Sequence, residues 1–347
     1  MMINGIQQVG IGTPNVHDSF KWYRQNFGFD VPVFDEAAEA PLMTQYTGDA
    51  VQSRHAILAM NLNGGGGMEI WQYTTREPAA QLSFSLKRPG LLVTRIKCEN
   101  VKIAHSKLVK SQPSKVSNDP MNKPSFSLVD PYGNPFIVAE SNSWYKKKPG
   151  QFGGIEGIMI GVTNMEKALT FYRDVMGIDK VLSDEERVFD DLKGLEGGNE
   201  TYRRVRLTPK NRNKGAFSKV FGDFFIELLE LKSDEPMNHN MKGRFWGDQG
   251  FIHLCFDVNQ MDSIKKRAEE LNNAFTIDTG DSFSMGEAAG RFAYVEDPDG
   301  TLIELVETEK ITISKKLGWR INLSPSRKRK PLPDLLFTVI GMTRVKD

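Results

Sequence analysis

Apolar and polar positions alternate along residues 6–12 and then recur every three or four places along 15–26, which predicts a strand followed by an amphipathic helix. Val16, Phe20, Tyr23 and Phe27 form the apolar stripe of that helix, Asn15 stands at its cap and Gly28 supplies the stop. The pattern returns in residues 158–178, where Ile160, Gly161, Asn164, Tyr172, Arg173 and Gly177 match Ile11, Gly12, Asn15, Tyr23, Arg24 and Gly28 with no gap. The chain therefore contains an internal duplication. In the second copy Asn164 caps, Leu169, Tyr172 and Met176 are apolar, and Gly177 stops the helix. Stripes at this spacing read as core rather than as a ligand pocket.

Each copy continues into apolar strands, at 56–62 and 68–73 in the first and at 202–207 and 224–231 in the second. A fainter pair of units follows the same plan. Strand 91–98 and helix 101–110 parallel strand 251–258 and helix 261–271, and both end in hairpins whose Asp-Pro-x-Gly turns lie within 126–140 and 292–307. The reading is an α+β chain of four βαβββ modules at 1–78, 88–142, 153–235 and 249–309. Joints rich in Pro, Gly and Lys at 87–90 and 146–150 separate them, so the expected domains are 1–142 and 153–309. Residues 310–347 form an appended tail, read as a short strand and a terminal helix that lays Leu335, Leu336, Val339 and Ile340 on the body.

Bulk composition adds exclusions. At 347 residues, 39% hydrophobic and 26% charged, the chain can bury real cores, and no stretch approaches the ~20 apolar residues of a membrane span. The start lacks a secretion signal, and Cys98 and Cys255 make neither a disulfide framework nor a CxxC knuckle, so a cytoplasmic protein is expected. The tail carries ten Lys or Arg against two Asp, a net +8, which leaves −7 for residues 1–309 of a chain whose total is +1. Such a body does not attract nucleic acid, and the run Arg327, Lys328, Arg329, Lys330 reads as a solvated terminal segment.

Candidate chemistry comes from polar residues that interrupt apolar strands. Alternation puts Ile252, Leu254 and Phe256 on one face and His253 with Cys255 and Phe251 on the other, and Glu304 breaks the run 302–306. A buried carboxylate without a partner shifts its pKa or recruits a cation. In the first module Gln8 holds the place of His253, five residues before Thr13 as His253 is five before Val258, and Glu69 holds the place of Glu304. Gln8, Glu69, His253 and Glu304 make a nitrogen and oxygen donor set suited to Zn, Ni, Mn, Fe or Co. The other two modules carry Val93 and Ile137, and Gly157 and Glu227, at these places.

Residues 171–177 (FYRDVMG), the His253 strand and 296–305 (EDPDGTLIEL) resemble the vicinal oxygen chelate superfamily, which includes glyoxalase I, methylmalonyl-CoA epimerase, extradiol dioxygenases and bleomycin-resistance proteins. The resemblance covers all four modules, and it implies two glyoxalase-like domains with curved mixed sheets in which two modules close around one metal. With module one paired to module four, Gln8, Glu69, His253 and Glu304 look like the Gln/Glu/His/Glu set of glyoxalase I. With module three paired to module four, as in extradiol dioxygenases, the set becomes Glu227, His253 and Glu304, with Gly157 in place of the first histidine. The first pairing is favoured because it gives each polar residue of module one a partner.

Glyoxalase I also has an arginine four residues after its first ligand, where this chain has Gly12, so glutathione is a doubtful substrate. Arg54, Arg203, Arg204, Arg206 and Arg291 are the other candidates for holding a carboxylate or phosphate. The expected protein is a divalent-metal-dependent enzyme, a monomer or homodimer, that moves a proton next to a carbonyl of a small molecule. Glu69 or Glu304 would be the general base. Trp71 and Tyr73 line its pocket or serve as packing. The alternatives are an Fe(II) extradiol-type dioxygenase, with Tyr294 near the substrate, and a non-catalytic binding protein of the resistance type.

Overall fold

The structure, a computed structural model, describes residues 3–211, 214–233, 238–280, 283–285, 288–314 and 319–346, so residues 315–318 and 347 of the tail lie outside it. Module one supplies β1 (Ile3–Gly12), α1 (Val16–Phe27), β2 (Val31–Glu39), β3 (Ser53–Met60) and β4 (Gly67–Tyr73). Module two supplies β5 (Gly90–Cys98), α2 (Val101–Lys107), β6 (Ser117–Asn118), β7 (Pro124–Val129) and β8 (Pro135–Glu140). Module three supplies β9 (Phe152–Val162), α3 (Met165–Thr170), β10 (Lys180–Arg187), β11 (Tyr202–Thr208), α4 (Ser218–Phe221) and β12 (Phe225–Leu231). Module four supplies β13 (Gly250–Val258), α5 (Met261–Glu270), β14 (Ile277–Asp278), β15 (Phe283–Met285), β16 (Ala288–Glu296) and β17 (Leu302–Ser314). The tail adds β18 (Trp319–Asn322) and α6 (Asp334–Ile340).

Local chemistry fixes the repeated helices. The Asn15 side chain accepts from the backbone N–H of His17 and Asp18, and Gly28 ends α1 at φ +73. Asn164 accepts from Lys167 N–H, and Gly177 has the same φ of +73. Between them α3 runs on through a wider π turn at Phe171–Val175. Tyr23 and Tyr172 are fully buried, as the stripe predicts, and each hydroxyl donates to the turn aspartate of the following module, Asp130 at 2.5 Å and Asp297 at 3.0 Å.

The strands form two mixed, curved sheets that cross the chain's linear division. One has the order β14-β16-β17-β13-β1-β4-β3-β2, with β15 on β16 and β18 on β17; the other runs β10-β11-β12-β9-β5-β8-β7-β6. Module one therefore shares a sheet with module four, and module two with module three, so each sheet takes one module from 1–142 and one from 153–309. Antiparallel pairing of β1 with β13, and of β5 with β9, makes the two seams. The main core lies between the sheets, where Tyr23 and Phe27 of α1 meet Phe136 and Phe152.

The tail is tied to the first sheet. Leu336 and Phe337 of α6 pack with Val31, Met60 and Phe221, whereas Leu335 is 68% exposed, because a helix of this length buries only one stripe. Lys328 pairs with Glu307 and Glu309. Among the described residues no helix is long and apolar enough to cross a membrane.

Candidate metal centre

Two irregularities in the β1–β13 seam aim the candidate residues. The register shifts between Ile6 and Gln8, so Gln7 is an extra residue and Gln8 turns to the concave face while Ile6 and Val9 stay in the core. A second shift, between Gly10 and Ile11, makes Ile252 the extra residue of β13. Simple alternation fails there: Ile252 packs with Trp71, Trp246 and Tyr294 on the concave side instead of with Leu254 and Phe256. Beyond that bulge His253 lies opposite Gly10, and a Cβ on residue 10 would stand 2.5 Å from its ring. Glycine is what lets the imidazole lie across β1.

Four neighbouring strands, β4, β1, β13 and β17, bring the side chains together. His253 Nε2 lies 3.2 Å from Glu69 Oε2 and 3.1 Å from Glu304 Oε2. Gln8 Nε2 lies 3.5 Å from Glu69 Oε2 and 3.4 Å from Glu304 Oε2. All four side chains are buried, His253 completely. Ligand atoms of Glu69, His253 and Glu304 fall within 4.8 Å of one another, close enough to share one ion.

The centre is under-satisfied in a way that suits a cation. His253 Nε2 is within ion-pair reach of both carboxylates yet is aligned for a hydrogen bond with neither, and Gln8 Oε1 has no partner. Turning the Gln8 amide by 180° would bring that oxygen to the carboxylates in place of the nitrogen. One imidazole nitrogen, two carboxylates and an amide oxygen fit a borderline divalent ion.

Electrostatics tell the same story. Burial works to lower the His253 pKa, but Glu304 and then Glu69 push it up to about 10, so a proton holds the carboxylates together when nothing else does. Burial works to raise Glu69, but His253, Arg54 and Gln8 hold it below the ordinary carboxylate range. Tyr294, whose hydroxyl is 3.4 Å from His253 Nδ1, is raised well above its usual value by burial and by Glu304 and Glu69.

An aromatic wall encloses the centre. Trp71 and Tyr73, expected as lining or packing, are both buried, and Trp71 meets Trp246 edge to face at 4.7 Å. Trp246 stacks over His253 with centroids 6.4 Å apart and 16° between planes. Sequence reasoning missed Trp246, although Trp-Gly-Asp in a loop was a usable signal. A Cβ on Gly247 would stand 2.1 Å from the Trp71 ring, and Asp248 accepts from Arg76, from Ala79 N–H and from Phe245 N–H. Those contacts fix the loop that presents the indole. Trp246, Ile252 and Leu302 also form part of the wall of a neighbouring cleft of 490 Å³.

The equivalent surface of the second sheet is filled differently. Glu227 is in that sheet, apart from His253 of β13 and Glu304 of β17, and pairs with Arg204 at 2.8 Å and with Arg206 at 2.9 Å. Asp191 takes Nη1 of Arg204, Asp119 shares Nη2 of Arg206 with Glu227, and Arg95 bridges Asp119 and Glu156. A set of Glu227, His253 and Glu304 is therefore not assembled. Arg203 pairs with Asp184 and Glu166, and Arg291 with Asp278 and Asp262.

Residues 154–305 match a family profile described as the Glyoxalase/Bleomycin resistance protein/Dioxygenase superfamily. Glyoxalase I from Zea mays is similar in fold, with 13% sequence identity, a TM-score of 0.53, and coverage of 87% of this chain and 92% of that one. A putative dioxygenase from Bacillus subtilis subsp. subtilis str. 168 aligns over 99% of this chain and 97% of its own, at 14% identity and a TM-score of 0.53. Identities this low speak for the fold alone. No curated protein matches the sequence.

Proposed function

We propose that this chain, of which residues 154–305 match the Glyoxalase/Bleomycin resistance protein/Dioxygenase superfamily, is a divalent-metal-dependent enzyme that moves a proton at a carbon next to a carbonyl. The observation that carries the proposal is the convergence of Gln8, Glu69, His253 and Glu304 on one buried point with two donor atoms left unpartnered. When bound, the ion would hold the carbonyl oxygen of the substrate and stabilise the negative charge that gathers there as the proton leaves.

The remaining roles belong to the chain. The Tyr294 hydroxyl beside Nδ1 orients the His253 ring so that Nε2 faces the carboxylates. Glu69, held ionised at neutral pH, takes the proton from the substrate carbon, and Glu304 stands opposite to do the same from the other side. Trp71 and Trp246 keep bulk water from the reacting carbon.

Metal analysis of protein purified without chelators tests the reading. About one ion per chain is expected. A content near zero that Glu304→Ala leaves unaltered would remove the metal centre. Oxygen uptake with catechols on the iron-loaded protein would replace proton transfer with the dioxygenase alternative.

A further inference from the structure

Of the five arginines singled out by the sequence, Arg54 alone pairs with no carboxylate among the described residues. Its Nη1 donates to the backbone carbonyl of Glu36 at 3.1 Å, and it is half-buried. Strand register puts it inside the curve of the first sheet. Leu58 faces Glu69, Ala56 faces Trp71 and Arg54 faces Tyr73, so Arg54 shares the concave face with Glu69 and Trp71. Four residues of strand, roughly 13 Å, separate the Cα of Glu69 from that of Tyr73 beside Arg54. An arginine side chain covers about half of that gap, and the Arg54 guanidinium leans inward, to the carbonyl of Glu36, which pairs with Ala56.

The charges of the site do not close without a further anion. Glu69 and Glu304 carry −2, a divalent ion would carry +2, and His253 is neutral when it ligates. Arg54 then remains as one uncompensated positive charge on the concave face, beside the buried rings of Trp71 and Tyr73. A half-buried guanidinium in that position calls for a carboxylate, which it can hold by two parallel hydrogen bonds.

Building on the metal-centre reading above, we propose that the substrate is a small monoanion whose carboxylate is held by Arg54 while its carbonyl end reaches Glu69, His253 and Glu304. The aromatic side chains between the two ends favour a short, largely apolar or planar spacer. Arg54 is then a specificity-determining residue, the one that ion pairing leaves over from the five arginines named in the sequence.

The test uses the full chain loaded with Co²⁺ and a series of hydroxamates, which chelate the ion, with a spacer of about two to five methylenes ending in a carboxylate or in the matching amide. Binding is read by calorimetry and by the cobalt spectrum. In the unaltered protein at least one spacer length should bind about tenfold more tightly as the acid than as the amide. Arg54→Met, which keeps the apolar stem, should erase that preference while retaining cobalt and hydroxamate binding, and Arg54→Lys should restore part of it. Retained cobalt with no preference for the acid at any length, or a preference that survives Arg54→Met, would overturn the role of Arg54 alone. Failure of the unaltered protein to retain cobalt would overturn the metal centre and this proposal together.

Discussion

At the middle of one sheet Gln8 lies beside Gly67, and at the same place in the other sheet Gly157 lies beside Phe225. The side chain that fills the space has moved to the neighbouring strand. The seam shows a second exchange, with Gly10 opposite His253 in the first sheet and Met159 opposite Val93 in the second. A third sits across from the shared glutamate: Leu58 faces Glu69, whereas Arg206 faces Glu227. Two copies of one framework thus solve the burial of a carboxylate in two ways. The first keeps glycines where the proposed ligands need room and holds the charge with His253, in the place proposed for an ion; the second fills the room with Phe225 and Met159 and neutralises the charge with guanidinium groups.

The largest expected difference separates the two glutamates. Glu304→Ala or His253→Ala should abolish metal retention and leave a folded chain. Glu227→Ala should leave metal content unaltered but destabilise the fold by about 3–5 kcal/mol, because Arg204 and Arg206 would remain buried without their shared partner. Metal analysis and urea unfolding of the same samples check both. If Glu227→Ala emptied the metal centre, the two sheets would not be chemically independent.

Next come substitutions that turn the first sheet into the second. Leu58→Arg would set a guanidinium opposite Glu69, as Arg206 is set opposite Glu227, and should weaken metal binding on the order of 100-fold. Gly10→Met should do the same by a different route, since any Cβ at that position collides with the His253 ring. Competition against a fluorescent chelator measures both. Unchanged affinity in Leu58→Arg would mean that Leu58 faces away from the centre.

Much of this was legible before the fold was known, and the reasons are physical. The helix spacing, the Asn15 and Asn164 caps and the glycine stops are local, so the sequence carries them without tertiary context. The ligand candidates emerged because a histidine and carboxylates inside apolar strands are costly enough to stand out. The pairing of modules was harder, since it depends on which exposed edges meet, and the duplication alone is compatible with both answers. The face of Ile252 was misjudged because bulges at Gln7 and Ile252 break the two-residue period on which the face assignment rests. The wall formed by Trp246 escaped notice because it comes from a loop between modules, where no periodicity points to a partner.

Opposite pH dependences should sharpen the contrast. In the metal-free protein His253 is raised from 6.5 to about 10, so its contribution is complete below pH 6.5 and is lost as pH climbs through 10. At the second sheet burial works to raise Asp119, but Arg95 and Arg206 bring it down from 3.8 to about 2. That contribution, about 2 kcal/mol, is complete above pH 3.8 and is lost as pH falls through 2. Urea midpoints should therefore fall at both ends of the pH range. Added metal should remove the alkaline loss, because the ion takes the place of the His253 proton, and Arg206→Leu should flatten the acid limb alone. An alkaline loss that persists with metal bound would count against His253 as a ligand.

The smallest expected effect concerns the one neutral donor. In the proposed centre Gln8 would contribute an amide oxygen, a weaker ligand than either carboxylate, so Gln8→Ala should reduce metal affinity only about tenfold, or 1.4 kcal/mol. Its counterpart in the second sheet gives the control. Gly157→Gln would drive a side chain into the Phe225 ring, whose nearest atom stands 2.6 Å from where a Cβ would be, and should lower stability by about 1–3 kcal/mol without creating a metal site. Should the double change Gly157→Gln with Phe225→Gly recover stability and still take up no ion, the lost glutamine alone does not keep the second sheet metal-free, since Val93 and Ile137 still stand where the first sheet has His253 and Glu304. Uptake of a second ion by that protein would instead make the Gln8 position the one that decides which sheet can hold metal.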